Sequence, residues 1–214
     1  MKPRSSWWIS AVFLSALLAV FVWLRPRMPA LVATHWNARG NVNGYMTPMH
    51  AVLVPTLAIV TLGLLTWLLP RISPRRYAIG PFVSAFAVVM LALQALVLVA
   101  ALGVLLNAAG HPVRMPWLCM ISLGALLLVM GNYMDKLRQN FFMGIRTPWT
   151  LASEAVWERT HRLSGWMFVL AGLAVIAIAL LQAPLWSMLC VIAASVLVPC
   201  VYSYVIYQRL EQHG

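Results

Sequence analysis

Polar and apolar positions along this chain neither alternate nor mark one face of a helix. They fall into long apolar runs separated by short polar stretches, and six such runs can be read: Trp7–Leu24, Ala51–Leu69, Pro81–Leu106, Met115–Met134, Gly165–Ala183 and Leu185–Tyr207. Each is close to the roughly 20 residues that a helix needs to cross a bilayer. A continuously apolar run cannot be one half-buried strand, and lipid offers no partner for an open sheet edge, so the runs predict helices. The fifth and sixth are divided only by Gln182-Ala183-Pro184, which predicts a tight helical hairpin. Lys2 and Arg4 precede the first run in the manner of a secretory signal, but its 18 residues exceed the usual core of about 7–15 residues, so it is read as a retained span. The expected fold class is all-α: a polytopic integral membrane protein with six transmembrane helices.

Composition agrees. The 214 residues are 63% hydrophobic and 9% charged, whereas soluble domains carry about 25% charge. Lysine and arginine concentrate on the cytoplasmic side of membrane proteins. With the N-terminus inside, that side receives Lys2, Arg4, Arg71, Arg75, Arg76, Lys136, Arg138, Arg146, Arg159, Arg162 and Arg209, and the outer side only Arg25, Arg27, Arg39 and Arg114. Both termini are therefore expected in the cytoplasm. The net charge of +11 does not suggest a nucleic-acid partner, because the basic residues sit in short loops beside spans, where they orient helices and meet anionic lipid headgroups. Cys119, Cys190 and Cys200 all fall within runs and read as small core residues, not as a disulfide framework or metal knuckle.

No Asp, Glu, Lys, Arg or His lies near the middle of a run, although ion-coupled transporters place such groups there, and no internal repeat of the transporter kind is visible. Gln94 is the strongest polar group at depth, and an interhelical hydrogen bond is its expected role. The G-x-S-x-G, G-x-x-x-x-G-K-[ST] and H-E-x-x-H patterns are absent, so the common nucleophile, phosphate and zinc signatures give an enzyme no support. No cofactor is implied.

Two loops are long enough to form sites. The outer one, Arg25 to His50, contains PALVATHWNARGNVNGYMTP. Its His35, Trp36 and Asn37 stand together, and Gly40 and Gly44 are expected to supply turns with Asn41 and Asn43. His35 and His50 lack the spacing and the acidic or cysteine neighbours of a metal site. Trp36 and Tyr45 are instead expected at the membrane interface, with His35 bonded inside the loop.

The inner loop, GNYMDKLRQNFFMGIRTPWT and its continuation LASEAVWERTHRLSGW, holds three of the four acidic residues, Asp135, Glu154 and Glu158. Thr147-Pro148 reads as a helix start, with a hydroxyl cap and proline at the first position, so a short cytoplasmic helix is expected from about Trp149 to Leu163. On it Glu154, Glu158 and His161 would share a face, with Glu158 paired to Arg162 one turn on. A membrane enzyme using His161 with Glu154 or Glu158 as acid and base, on lipid or peptide, is the rival functional reading. Arg146 lies between Gly144 and Pro148, where its planar fork could meet either a headgroup or a set of carbonyl oxygens.

The stretch GNYMDKLRQNFFMGIRTPWTLASEAVWERTHRLSGW resembles the signature segment of the SdpI family, bacterial membrane proteins typified by the immunity protein against the sporulation-delaying toxin SdpC. The matching positions are Gly131, Asn132, Asn140, Gly144, Ile145, Arg146, Thr147, Pro148, Trp149, Thr150, Leu151, Trp157, Thr160, His161, Arg162, Gly165 and Trp166, while Gln139 stands where proline is expected. PALVATHWNARGNVNGY is similar to the small domain of unknown function that often precedes that segment. The resemblance implies a two-helix unit over residues 1–70 with the His35-Trp36-Asn37 loop, then a four-helix region over 71–214 with its motif loop at 135–163. It also implies a multi-pass protein of the bacterial inner membrane that binds or neutralises a secreted membrane-active toxin, and in the founding system a signalling role in which a transcriptional repressor is held at the membrane.

Overall fold

The computed structural model describes residues 3–37 and 39–211; Lys2 lies outside the described residues. Six long helices correspond to the six apolar runs: α1 (Pro3–Leu24), α2 (Pro48–Ile72), α3 (Val83–Ala108), α4 (Met115–Met134), α6 (Glu154–Leu180) and α7 (Leu185–Glu211), with a short α5 (Pro148–Ala152) ahead of α6. All six long helices are apolar and long enough to cross a membrane. Bulky side chains such as Trp8, Val22, Leu57, Leu173 and Val201 stand exposed along them, a surface suited to lipid and not to water. The chain is a mostly helical, multi-pass membrane protein.

Local chemistry sets the ends of these helices. Thr47 caps α2 by accepting from the His50 amide, and Pro48 follows it at the first helical position, where a missing N–H costs nothing. Between α6 and α7 the chain turns through Gln182, which takes a positive φ of 54°, as the three residues between the apolar runs required.

Core packing falls into two clusters joined by α3. At one end Phe86 and Met90 of α3 meet Leu127 and Met134 of α4 and Trp157, Phe168 and Val175 of α6. At the other, Ala101 and Leu105 meet Leu17 and Leu24 of α1, Val52 and Ile59 of α2, and Val32. The closest helix pair is α4 with α6. A β-carbon added at Gly131 would come within 2.7 Å of the Gly165 carbonyl, and one added at Gly172 within 2.7 Å of the Gly124 carbonyl. Two glycine pairs thus let antiparallel backbones touch, the small-residue packing by which membrane helices associate without a hydrophobic driving force.

Several expectations need correction. The chain is mostly helical as expected, but the loop between α1 and α2, read only as turns, forms a two-stranded antiparallel hairpin, β1 (Val32–Trp36) and β2 (Val42–Met46). Gly40 supplies its turn with a φ of 80°, but Gly44 lies in β2 opposite His35, where a β-carbon would come within 2.9 Å of the His35 side chain. Gly44 is there for close approach, not for a turn. The helix expected from Trp149 to Leu163 is broken at Ser153, whose hydroxyl caps α6, so Glu154 onward is the first part of the fifth long helix. Gln94 is fully buried, yet neither amide atom finds a hydrogen-bond partner, so the expected interhelical bond is not formed. Cys119 and Cys190 are exposed and Cys200 half-buried, since a small thiol is as comfortable against lipid as in a core.

Candidate functional site

Residues 135–150 fold back over the ends of α4, α6 and α7 as a block held by buried polar side chains. Asn140 is its hub. Its carboxamide oxygen accepts from the Phe142 and Met143 amides at 2.8 Å each, and its nitrogen donates to the Arg138 and Met143 carbonyls. All of its capacity is spent on the turn, which replaces the proline expected one position earlier. Gln139 reaches across instead, donating to the Thr150 and Leu151 carbonyls and so tying the turn to α5.

His161 holds the second half. The Ile145 amide donates to Nε2 at 3.1 Å, and Nδ1 donates to the Trp157 carbonyl at 2.9 Å. An Nε2 that accepts and an Nδ1 that donates define the neutral Nδ1-protonated tautomer. The ring stacks on Trp157 with centroids 3.9 Å apart, and Trp157 Nε1 donates to the Leu137 carbonyl at 2.7 Å. Gly144 makes the loop's approach possible: its φ is +110°, and a β-carbon there would overlap His161 Nε2.

Thr147 and Thr150 form a reciprocal capping box at the start of α5. Thr147 also shares a hydrogen bond of 2.9 Å with Ser203, and Trp149 packs on Tyr204 with ring centroids 5.0 Å apart, anchoring the block to α7. Arg146 is exposed and donates to the Phe141 carbonyl, clasping the turn from outside. Phe141 in turn packs on Tyr77 at 4.0 Å, from the linker before α3.

Sequence reasoning located Asn140, Gly144, Thr147, Pro148, Thr150, Trp157 and His161, and the structure brings them together. It separates others. The Asn132 side chain donates to the Leu128 carbonyl of its own helix, and its backbone carbonyl accepts from Lys136 Nζ just past the helix end, so it takes no part in the block's interior. Glu158 pairs with Arg138 at 2.8 Å and not with Arg162, because the returning loop brings Arg138 alongside. Glu154, Glu158 and Arg162 are exposed, while Thr160 and His161 are buried. The shared Glu–His face is thus divided by the loop, and both His161 nitrogens are occupied by backbone, so the pairing required by the acid–base reading is not formed. Ser203 and Tyr77 were missed; one hydroxyl in a span and one tyrosine in a linker carry no local signal.

At the opposite end the hairpin is braced internally. His35 Nδ1 donates to the Asn43 carboxamide oxygen, Asn37 accepts from the Arg39 and Asn41 amides, and His50 bonds Thr47. The two histidines therefore serve separate turns, and among the described residues no three His, Cys, Asp or Glu side chains group as metal ligands. Beneath the hairpin lies an open cavity of about 660 Å³, walled by α2, α3 and α4 and the start of α7, with Thr34, His35, Trp36 and Asn37 at its polar edge. No residue of the 135–150 block lines it, which excludes the block as a lining of this cavity.

Residues 136–203 match the SdpI/YfhL protein family, so the match starts in the block and runs through α6 into α7. Through this region the chain is similar to the SdpI/YfhL family. Residues 11–59, spanning most of α1, the hairpin and the first half of α2, match a domain of unknown function, DUF1648. The immunity protein SdpI of Bacillus subtilis (strain 168) is 29% identical over 112 residues, covering 51% of this chain and 54% of that relative. The match therefore spans about half the length of the curated relative. No solved structure matches the chain. The residues that carried the resemblance are chiefly those that build the block's interior.

Proposed function

We propose that the chain is a bacterial inner-membrane immunity protein that binds a secreted membrane-active toxin and acts without catalysis. The observation that carries this reading is how the family segment spends its polar groups. Asn140, Thr150, Trp157 and His161 are all buried and bonded within the block; the buried Thr160 hydroxyl has no partner, but both His161 nitrogens are taken by backbone, so no free buried acid or base stands there to activate it. What faces outward is charge: Arg138, Arg146, Arg159 and Arg162 with Glu154 and Glu158. A rigid frame presenting arginines suits recognition, and the relative's description as an immunity protein points the same way. With the N-terminus inside, the block faces the cytoplasm, where it could hold an acidic surface of a soluble repressor, while the hairpin end faces an arriving toxin.

Expression in a toxin-sensitive bacterium, scored for survival against an SdpC-type toxin at matched membrane abundance, tests the reading. Protection is expected from the wild type. Arg146→Lys keeps the charge but loses the fork that clasps the Phe141 carbonyl and could take a partner's carboxylate, so about tenfold weaker protection is expected. Absence of protection by the wild type against such toxins would overturn the function; full protection by the lysine variant would remove Arg146 from it.

A further inference from the structure

We infer that the cavity beneath the hairpin is a lipid site, taking one acyl chain of an anionic phospholipid from the surrounding leaflet, with Arg39 and Arg114 at its mouth for the phosphate. The inference does not depend on toxin recognition. The walls are apolar, including Val54, Ala58, Val97, Ala100 and Leu123, and polar groups are confined to the hairpin edge. Of these, His35 and Asn37 already use side-chain atoms inside the loop.

That distribution decides between occupants. An extended peptide would bring unpaired N–H and C=O groups against walls that cannot bond them, at a cost of several kcal/mol per group. A helix satisfies its own backbone, but it is about 10 Å across, so about a turn and a half would exhaust the volume. An acyl chain brings no polar group to the walls and leaves its headgroup at the rim.

Charge selects the headgroup. Arg39 follows the lining residue Asn37 by two positions, and Arg114 precedes the lining residue Pro116 by two. Gly40 places the two segments side by side, since a β-carbon there would meet Pro116 at 3.7 Å. Both arginines are exposed, and among the described residues the one salt bridge joins Arg138 and Glu158 at the other end. All four acidic residues of the chain belong to that other end, at positions 135, 154, 158 and 211. The mouth is therefore positive with nothing to neutralise it, and two guanidiniums favour a phosphodiester that carries net charge over a zwitterionic headgroup.

Native mass spectrometry of the full chain in detergent, titrated with phosphatidylglycerol or phosphatidylcholine of identical chains, reads the site directly. Phosphatidylglycerol is expected to bind about tenfold more tightly. Arg39→Gln with Arg114→Gln should abolish that difference, and Ala58→Phe or Ala100→Phe, which fill the cavity from two different helices, should weaken both lipids about tenfold. Phosphatidylglycerol bearing a photoreactive group on its chain should label Met120 or Leu123 in the wild type, a readout that needs no variant. Equal binding of the two lipids, undiminished binding in both filled variants, or labelling confined to the outer faces of α1 and α7 would each overturn the inference.

Discussion

Gly144 sits at a point that admits no side chain: its φ is +110°, and a β-carbon would overlap the His161 ring. Gly144→Ala should therefore cost about 1–3 kcal/mol for the backbone alone, with more for displacing the ring, seen as a lower thermal midpoint of the purified protein. His161→Ala leaves the buried Ile145 amide without its acceptor, a loss of about 1–3 kcal/mol. His161→Gln can place a carboxamide oxygen near the position of Nε2 and should recover part of that stability. If glutamine and alanine prove equally damaging, the bond to Ile145 is not what His161 contributes. Gln94 presents the opposite case, a fully buried carboxamide with both atoms unpartnered. Gln94→Met keeps the volume and removes the unpaired groups, so it should stabilise the protein by about 1 kcal/mol or more; a destabilised methionine variant would mean that the amide has a partner in the membrane.

Among the helices, the contact between α4 and α6 is the most sensitive to bulk. Gly131→Ala inserts a methyl 2.7 Å from the Gly165 carbonyl and forces two backbones apart, whereas Gly80→Ala meets nothing within 4 Å. The first should lower the thermal midpoint, at a cost of about 1–3 kcal/mol, and the second should leave it nearly unchanged; equal effects would show that the close approach is not needed. The same scale explains what was legible in the sequence. Each span could be read because about 20 consecutive apolar residues admit one solution in lipid. The start at Thr147-Pro148 could be read because capping is a local bond. The break at Ser153 and the hairpin of β1 and β2 were missed: serine caps and interrupts helices with equal ease, and strands of five residues lie inside a loop whose polar composition hides any alternation.

Over the whole molecule, charge is distributed by end. Arg71, Arg75, Arg76, Lys136, Arg138, Arg146, Arg159, Arg162 and Arg209 gather with the block, and Arg25, Arg27, Arg39 and Arg114 with the hairpin. The excess predicts a cytoplasmic block. In a variant stripped of its three native cysteines, an impermeant thiol reagent applied to intact cells should label a cysteine placed at Asn41 and spare one at Lys136; the reverse would invert the topology.

The sequence by itself determined that the chain lies in a membrane, how many helices cross it, how its charge is divided, and which segment carries the SdpI resemblance, because each of these depends on composition or on bonds within a few residues. The tertiary structure alone decided what the segment's residues do. It buried His161 away from Glu154 and Glu158, gave Glu158 to Arg138 across 20 positions, tied Thr147 to Ser203 across 56, and opened a cavity beneath a hairpin. Those outcomes depend on which helix ends meet in space, and the apolar side chains that bring them together are nearly interchangeable in sequence while their packing is not.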